Sequence, residues 1–185
     1  LSAGPATGGM FGSDRSTRVA IDGERFTVDG RPTYEGRSHD GTSIEGRLFN
    51  ARLVHAWFDD ANPETRDNWA YPDTGRWDPE RNVAEFCAAL PAYRDHGLRA
   101  VAANLQCGSP EGYSETQPWT VSAFRPDGSL EPDWMARVER VLDRADDLGL
   151  VVILGLFYFG QDGVLEDEAA VKRAVDEAVE GLLDR

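Results

Sequence analysis

The sequence predicts a parallel α/β fold, and three observations carry that prediction. Two helical patterns each close on a Gly-Leu pair and pass directly into a short apolar strand, over residues 98–106 and 150–158. Each of these strands runs out through amide side chains, Asn104 and Gln106 in one case and Gln161 in the other, into a polar loop followed by another helical pattern. Strand, loop, helix, strand is the unit that joins parallel strands. The loops after two of the predicted strands run for about 20–25 residues, a length that in compact domains is usually functional.

Taken in order, the elements begin with alternation around Asp22-Gly23 and Asp29-Gly30 over residues 18–32, which predicts a β-hairpin. Residues 1–17 are small, Gly-rich and polar and read as a disordered tail. A Gly-rich connection through Gly46 leads to a mostly apolar run at 48–58, the first buried strand, ending at Asp59-Asp60. Asp78-Pro79 supplies an N-cap acceptor and a proline at N1 for the first helix, with Val83, Phe86, Cys87 and Leu90 as its stripe. Pro91 inside that pattern predicts a kink or restart. Pro132, Trp134, Val138, Val141, Leu142, Ala145 and Leu148 mark a second helix, closed by Gly149. A third starts near Asp167, with Val171, Val175, Ala178 and Leu182 on one stripe and no stop signal at Arg185. Three βα units after a hairpin fit either a small open sheet or the first part of a (β/α)8 barrel. A complete barrel needs about 250 residues, and the hairpin and long loops favour the barrel, truncated after its third helix.

The chain has 185 residues and a formal charge of −14, which argues against nucleic acid and anionic lipid as partners. No apolar segment is long enough to span a bilayer. Cys87 and Cys107 lack ligand spacing and read as buried free thiols. No strand leads into a nucleotide-binding glycine pattern, His39, His55 and His96 lack metal-site spacing, and no cofactor is expected. Asp59, Asp60, Asn62 and Asp67 offer oxygen ligands, although not at the spacing of an EF-hand loop.

The candidate site residues sit at strand ends. On the first strand His55, Trp57 and Asp59 share a parity, as do Asn104 and Gln106 on the second; Tyr158, Gln161 and Asp162 end the third. Amides and an imidazole there can hydrogen-bond neutral hydroxyls, or they can simply tie down the loops. Trp57, Trp69, Trp77 and Trp119, with Tyr71 and Tyr113, lie at a strand end or in these loops, where they suit the apolar faces of sugar rings or the packing of the loops themselves. The carboxylates expected near the strand ends include Asp59, Asp60 and Asp162, with Glu111 and Glu115. An inverting glycosidase pair stands about 6.5–9.5 Å apart, yet Asp59-Asp60 and Asp162-Gly163 read equally as capped turns.

Several segments carry a resemblance. Residues 26–33 (FTVDGRPT) resemble the opening hairpin, and 96–101 (HGLRAV) the second strand, of cellulase-like (β/α)8 glycoside hydrolases, including family 5. Residues 127–130 (DGSL) and 145–154 (ADDLGLVVIL) resemble their approach to the third strand. Residues 77–82, 104–110 and 157–162 are similar to a bacterial branch of cellulase-like proteins. The resemblance spans about residues 19–185. It implies hydrolysis of β-linked glycans with retention by two Glu residues, both of which would lie beyond Arg185, so that this chain alone would be inactive. His55, Trp57, Asp59, Asn104, Gln106, Tyr158 and Gln161 would then line sugar subsites or support the missing pair. Where the family usually carries an Arg late in the second strand, this chain has Ala102. A non-catalytic carbohydrate-binding or scaffold barrel is the alternative, and open sheet edges would favour self-association.

Overall fold

The two Asp-Gly turns fold residues 19–32 into an antiparallel sheet, as a computed structural model of the chain shows; it describes residues 15–53, 55–108 and 118–183. Its strands are β1 (Val19–Asp22), β2 (Arg25–Val28) and β3 (Arg31–Pro32), in that order. A second, two-stranded hairpin follows, β4 (Ser38–His39) and β5 (Thr42–Ser43), inside what reads in sequence as a plain Gly-rich connection. Its turn is Asp40-Gly41, both with φ positive, the conformation an Asp-Gly pair accepts most readily.

The parallel sheet consists of β6 (Asn50–Arg52), β7 (Ala100–Asn104) and β8 (Val151–Gly155), in the order β6-β7-β8. Ala51 pairs with Val101, and Val101 with Val152, so side chains alternate in register across all three strands. Helices α1 (Pro79–Asp95) and α2 (Pro132–Asp147) cross between successive strands, and α3 (Glu168–Leu183) follows β8. Asp78 caps α1 as its residue type dictates, accepting from the Glu80 and Arg81 amides at 3.0 Å each. The helix runs through Pro91 without restarting. Both Gly-Leu pairs close their helices by the same Schellman pattern. Leu98 donates to Tyr93 and Gly97 to Arg94; Leu150 donates to Ala145 and Gly149 to Asp146. Gly97 and Gly149 stand at φ 100° and 64°, where a side chain is strained.

Val101 and Ala103 are buried against the helices, with Val152 and Leu154 packed on the same core. Val83, Phe86 and Leu90 of α1 and Val138, Val141 and Ala145 of α2 complete it. The third helix follows part of its expected stripe: Ala178 is buried and Leu182 packs on the core, but Ala170 and Ala174 are buried as well, while Val171 is 38% exposed. Alanine lets α3 approach closely, and Gly128 sits so near that a Cβ there would fall 2.1 Å from the Ala170 carbonyl oxygen.

The first strand is shorter than the apolar run 48–58 implies. Pairing to β7 ends where Leu53 donates to Ala102, and the chain then turns, with Ala56 bonding back to Leu53 and Phe58 to His55. The alternation expected to put His55, Trp57 and Asp59 on one face therefore does not exist.

The β1–β3 sheet is fixed at the N-terminal end of the parallel sheet, where the Tyr34 hydroxyl donates to the Gly97 carbonyl at 2.6 Å. Residues 15–17, which read as part of the tail, are docked on α2. Arg15 bridges Glu139 and Asp143, and the Ser16 and Thr17 amides donate to the Asp146 carboxylate. Burial would raise the Asp146 pKa, but the hydrogen bonds from Ser16 and Thr17 outweigh it and hold the carboxyl below its ordinary value. A lowered folded-state pKa gives stability that is present above the unfolded value and lost as pH falls through the folded one. Protection of the Ser16 and Thr17 amides, measured against the intrinsic exchange rate at each pH, is therefore expected to fall below the ordinary carboxylate range, and at neutral pH in Asp146→Asn; equal protection at acid and neutral pH would refute this.

Candidate functional site

One face of the parallel sheet is covered by helices and the other is open, and the chemistry of the open face is polar toward the strand ends. Arg52, Ala102, Asn104, Ile153 and Gly155 alternate onto it, opposite the helix-packed residues, and Ile153 is 41% exposed. Arg52 pairs directly with Ala102, and Asn104 with Gly155. Two glycines make room for the polar groups. A Cβ on Gly155 would lie 2.2 Å from Asn104 Oδ1, so only glycine lets this carboxamide lie across the neighbouring strand. A Cβ on Gly108 would lie 2.8 Å from the Tyr158 Cζ and Oη atoms. The Arg52 guanidinium stands 5.4 Å from the centroid of the Tyr158 ring, and Arg52, Asn104 and Gly108 line one hollow. The rim thus carries a guanidinium and a carboxamide, groups able to hydrogen-bond oxygen-rich ligands, over a phenol ring that is itself 7% exposed.

The structure brings only two of the predicted site residues, Asn104 and Tyr158, to this rim. Trp57 lies behind it, fully buried, its indole N–H donating to the Asn104 carbonyl at 2.8 Å. It supports the strand end without reaching the open face.

Gln106 and Gln161 are buried latches. Gln106 Nε2 donates to the Gln161 carbonyl at 2.9 Å and to Ser122 Oγ at 3.3 Å, and its Oε1 accepts from the Tyr158 amide. Gln161 Oε1 accepts from the Val121 amide at 2.8 Å, and its Nε2 donates to the Trp119 carbonyl at 3.1 Å. The two side chains knit the ends of β7 and β8 to residues 119–122, the loop-tying role open to them from the sequence. At 0% and 2% exposure, neither faces a ligand.

His55 and Asp59 lie elsewhere. The His55 ring meets Phe86 of α1 edge-on at 5.9 Å; the residue is exposed, and partial desolvation on its Phe86 side pulls its pKa down. Asp59 accepts from Trp77 Nε1 at 3.0 Å and is bridged by Arg66 and Arg137, each at 3.1 Å. Its neighbour Asp60 is fully buried, taking four hydrogen bonds: from the amides of Asn62 and Thr120, from Thr65 Oγ1 and from Trp69 Nε1. These bonds occupy both Asp60 oxygens without a cation. Asp162 is exposed and caps a turn through Gly160. Among the described residues no group of His, Cys, Asp or Glu is placed to hold a metal ion, and no helix is long and apolar enough to cross a membrane. Cys107 is buried and its thiol pKa is driven far up by burial; Cys87 is half-buried, and both are free.

The loop aromatics pack on one another. Phe58 receives the edges of Trp69 and Trp77 at 5.2 and 5.5 Å, and Trp69 meets Trp119 at 5.8 Å. Of the aromatics expected to face sugar rings, Trp57, Trp69, Trp77 and Trp119 thus serve the loops' own core. Tyr71 stacks on Trp77 at 5.6 Å beneath Arg81, its hydroxyl pushed up to about 12 by burial and by Glu85. Tyr113, Glu111 and Glu115 lie outside the described residues. Two functional-looking residues were missed by sequence reasoning. Arg52 was detectable as a lone charge inside an apolar run; Gly155, inside a strand, signals the close approach that Asn104 makes.

Comparison with protein families, with curated proteins and with solved structures finds no match.

Proposed function

We propose that residues 18–185 are the first three βα units of a (β/α)8 barrel and that the parent protein hydrolyses β-linked glycans. One observation carries most of this reading: three parallel strands in sequential order, helices on one face, and an opposite face that no helix covers among the described residues, with Arg52, Asn104 and Tyr158 at its C-terminal rim. A barrel buries such a face by closing it on itself, and ligands bind at the C-terminal ends of its strands. Arg52, paired with Ala102, puts a guanidinium on the same face from the adjacent strand, beside the position where the resembling family usually has its arginine. The two catalytic carboxylates would come from polypeptide beyond Arg185, and the residues described here would supply substrate binding. A non-catalytic carbohydrate-binding barrel is the second reading. It is favoured by the rim's amide, guanidinium and phenol, and by Asp59 being committed to Arg66 and Arg137.

The test is hydrolysis of an aryl β-glycoside by the protein extended through the coding sequence after Arg185. Retaining hydrolysis is expected, with Asn104→Ala lowering kcat/KM by about 10–100-fold for the loss of a substrate hydrogen bond. The 185-residue chain alone is expected to be inactive. Hydrolysis by that chain above a heat-killed control, or none by the extended protein, would overturn the catalytic reading. Saturable glycan binding without hydrolysis would establish the second.

A further inference from the structure

A cleft of about 590 Å³ lies on the helix side of the sheet, between the loops that follow β6 and β7 and the first turns of α2. Asp59, Arg66, Phe124, Glu131, Trp134 and Arg137 are among its walls. It is separate from the open face that carries Asn104.

Its α2 wall holds an anomaly. Trp134 and Arg137 are 3% and 5% exposed, and Trp134 Nε1 and Arg137 Nε are both buried without a hydrogen-bond partner among the described residues. They stand three residues apart on α2, with the guanidinium carbon 5.5 Å from the centre of the indole. By contrast, the indoles of Trp57, Trp69 and Trp77 each donate to a carbonyl or carboxylate oxygen. Buried donors are almost always paired, so two orphans on one wall ask for an acceptor. The start of α2 adds to the imbalance. Glu131 at the N-cap makes no side-chain cap and Pro132 has no amide hydrogen, leaving the Asp133 and Trp134 amides without intrahelical acceptors.

The charges around the cleft select the ligand class. Arg66, Arg125 and Arg137 are matched by Asp59, Glu131 and Asp133, a formal sum of zero. Arg66 and Arg137 are bridged to Asp59, and Arg125 to Glu131. A free anion would find these cations already engaged and would meet three carboxylates. A hydroxyl accepts from an N–H and donates to a carboxylate through the same oxygen, which fits a cleft whose donors and acceptors are interleaved along its walls. Trp134 and Phe124 offer apolar faces of the kind that C–H-rich ring faces cover. The volume falls within the usual range for small-molecule sites.

We propose that this cleft binds a neutral polyhydroxylated ligand, a sugar of one or two rings, whose oxygens accept from Trp134 Nε1 and Arg137 Nε. Both nitrogens are covered in this state, so binding requires a side chain of the cleft wall to move aside. The inference does not depend on the reading of the open face.

The test follows indole N–H resonances in ¹⁵N-labelled 185-residue protein, with the Trp134 signal assigned by its loss in Trp134→Phe. Cellobiose, maltose, acetate and inorganic phosphate are titrated separately to about 50 mM, which suffices for a Kd near 10 mM. A saturable downfield shift of the Trp134 indole with a disaccharide, larger than for the other indoles, is the expected result. Arg137→Lys, which keeps the charge and removes Nε, is expected to weaken it about tenfold, and Asn104→Ala to leave it unchanged. No sugar-dependent shift, an equal drift of all indoles, or a saturable response to acetate or phosphate alone would each overturn the proposal. Loss of the response in Asn104→Ala would overturn the separation of the two sites.

Discussion

Replacing Asp60 with alanine is expected to cost about 3–5 kcal/mol of stability, since it strands a set of donors that have nowhere else to turn. The carboxylate is fully buried and accepts from the Asn62 amide at 2.9 Å, the Thr120 amide at 2.9 Å, Thr65 Oγ1 at 2.7 Å and Trp69 Nε1 at 2.9 Å. Thr120 lies in the loop after β7, whereas the other three partners lie in the loop after β6, so one side chain fastens the two loops to each other. The change also opens a void under Trp69, which packs edge-on against Phe58 and Trp119. Asp60→Asn keeps one acceptor oxygen but points an NH₂ at two donors, and is expected to lose at least half as much. Urea unfolding followed by tryptophan fluorescence measures both. For a chain of this length the alanine variant's melting temperature falls by roughly 10 °C. A shift of only a degree or two would mean that water replaces the carboxylate without penalty, and that the loops are not joined through Asp60.

The helices and the direction of the strands were legible because their signals are local. Asp78-Pro79, Gly97 and Gly149 each do in the structure what their chemistry requires of isolated residues. The end of the first strand was not legible. Ala56, Trp57 and Phe58 are apolar in sequence whether they extend a strand or turn beneath a lid, and they are buried because the loop aromatics and α1 cover the turn. Parity arguments need a strand, and the described residues from His55 to Asp60 form none, so the placement of His55 and Asp59 followed from a false premise. Asn104 sits within a paired strand, and there alternation placed it as expected. For α3, Ala178 and Leu182 of the expected stripe do pack inward, but Ala170 and Ala174 were hidden behind the more hydrophobic Val171. Which stripe faces inward depends on how closely the helix approaches, and Gly128 shows that it approaches to contact. The difference between an amide that holds a loop and one that meets a ligand lies wholly in its partners. Gln106 and Gln161 have theirs in backbone groups up to 55 residues away along the chain.

Gln106→Leu is the second large effect expected, and it reaches the rim as well as the core. Leucine fills similar space but removes the Gln106 acceptor from the buried Tyr158 amide and the Gln106 donor from the Gln161 carbonyl, which keeps the Val164 amide, at a cost of about 1–3 kcal/mol. The Tyr158 backbone is then released, and with it the ring that packs against Gly108 and beneath Arg52. Stability and the position of the rim phenol should therefore fail together, whereas Asn104→Ala should alter the rim and leave unfolding nearly unchanged. Gln106→Glu separates the polar roles by pH. One carboxylate oxygen can still accept from the Tyr158 amide, but the other faces the Gln161 carbonyl oxygen that Nε2 now serves. Only the protonated acid restores a donor there, so folding raises the pKa of the introduced carboxyl. A raised folded-state pKa makes the variant least stable at neutral pH, and stability returns as pH falls through that value toward the unfolded one. Unfolding midpoints across the acid range, compared with the parent protein at each pH, measure this directly. A constant deficit at every pH would show that the Gln161 carbonyl has turned away, and that the latch between β7 and β8 does not depend on the donor at position 106.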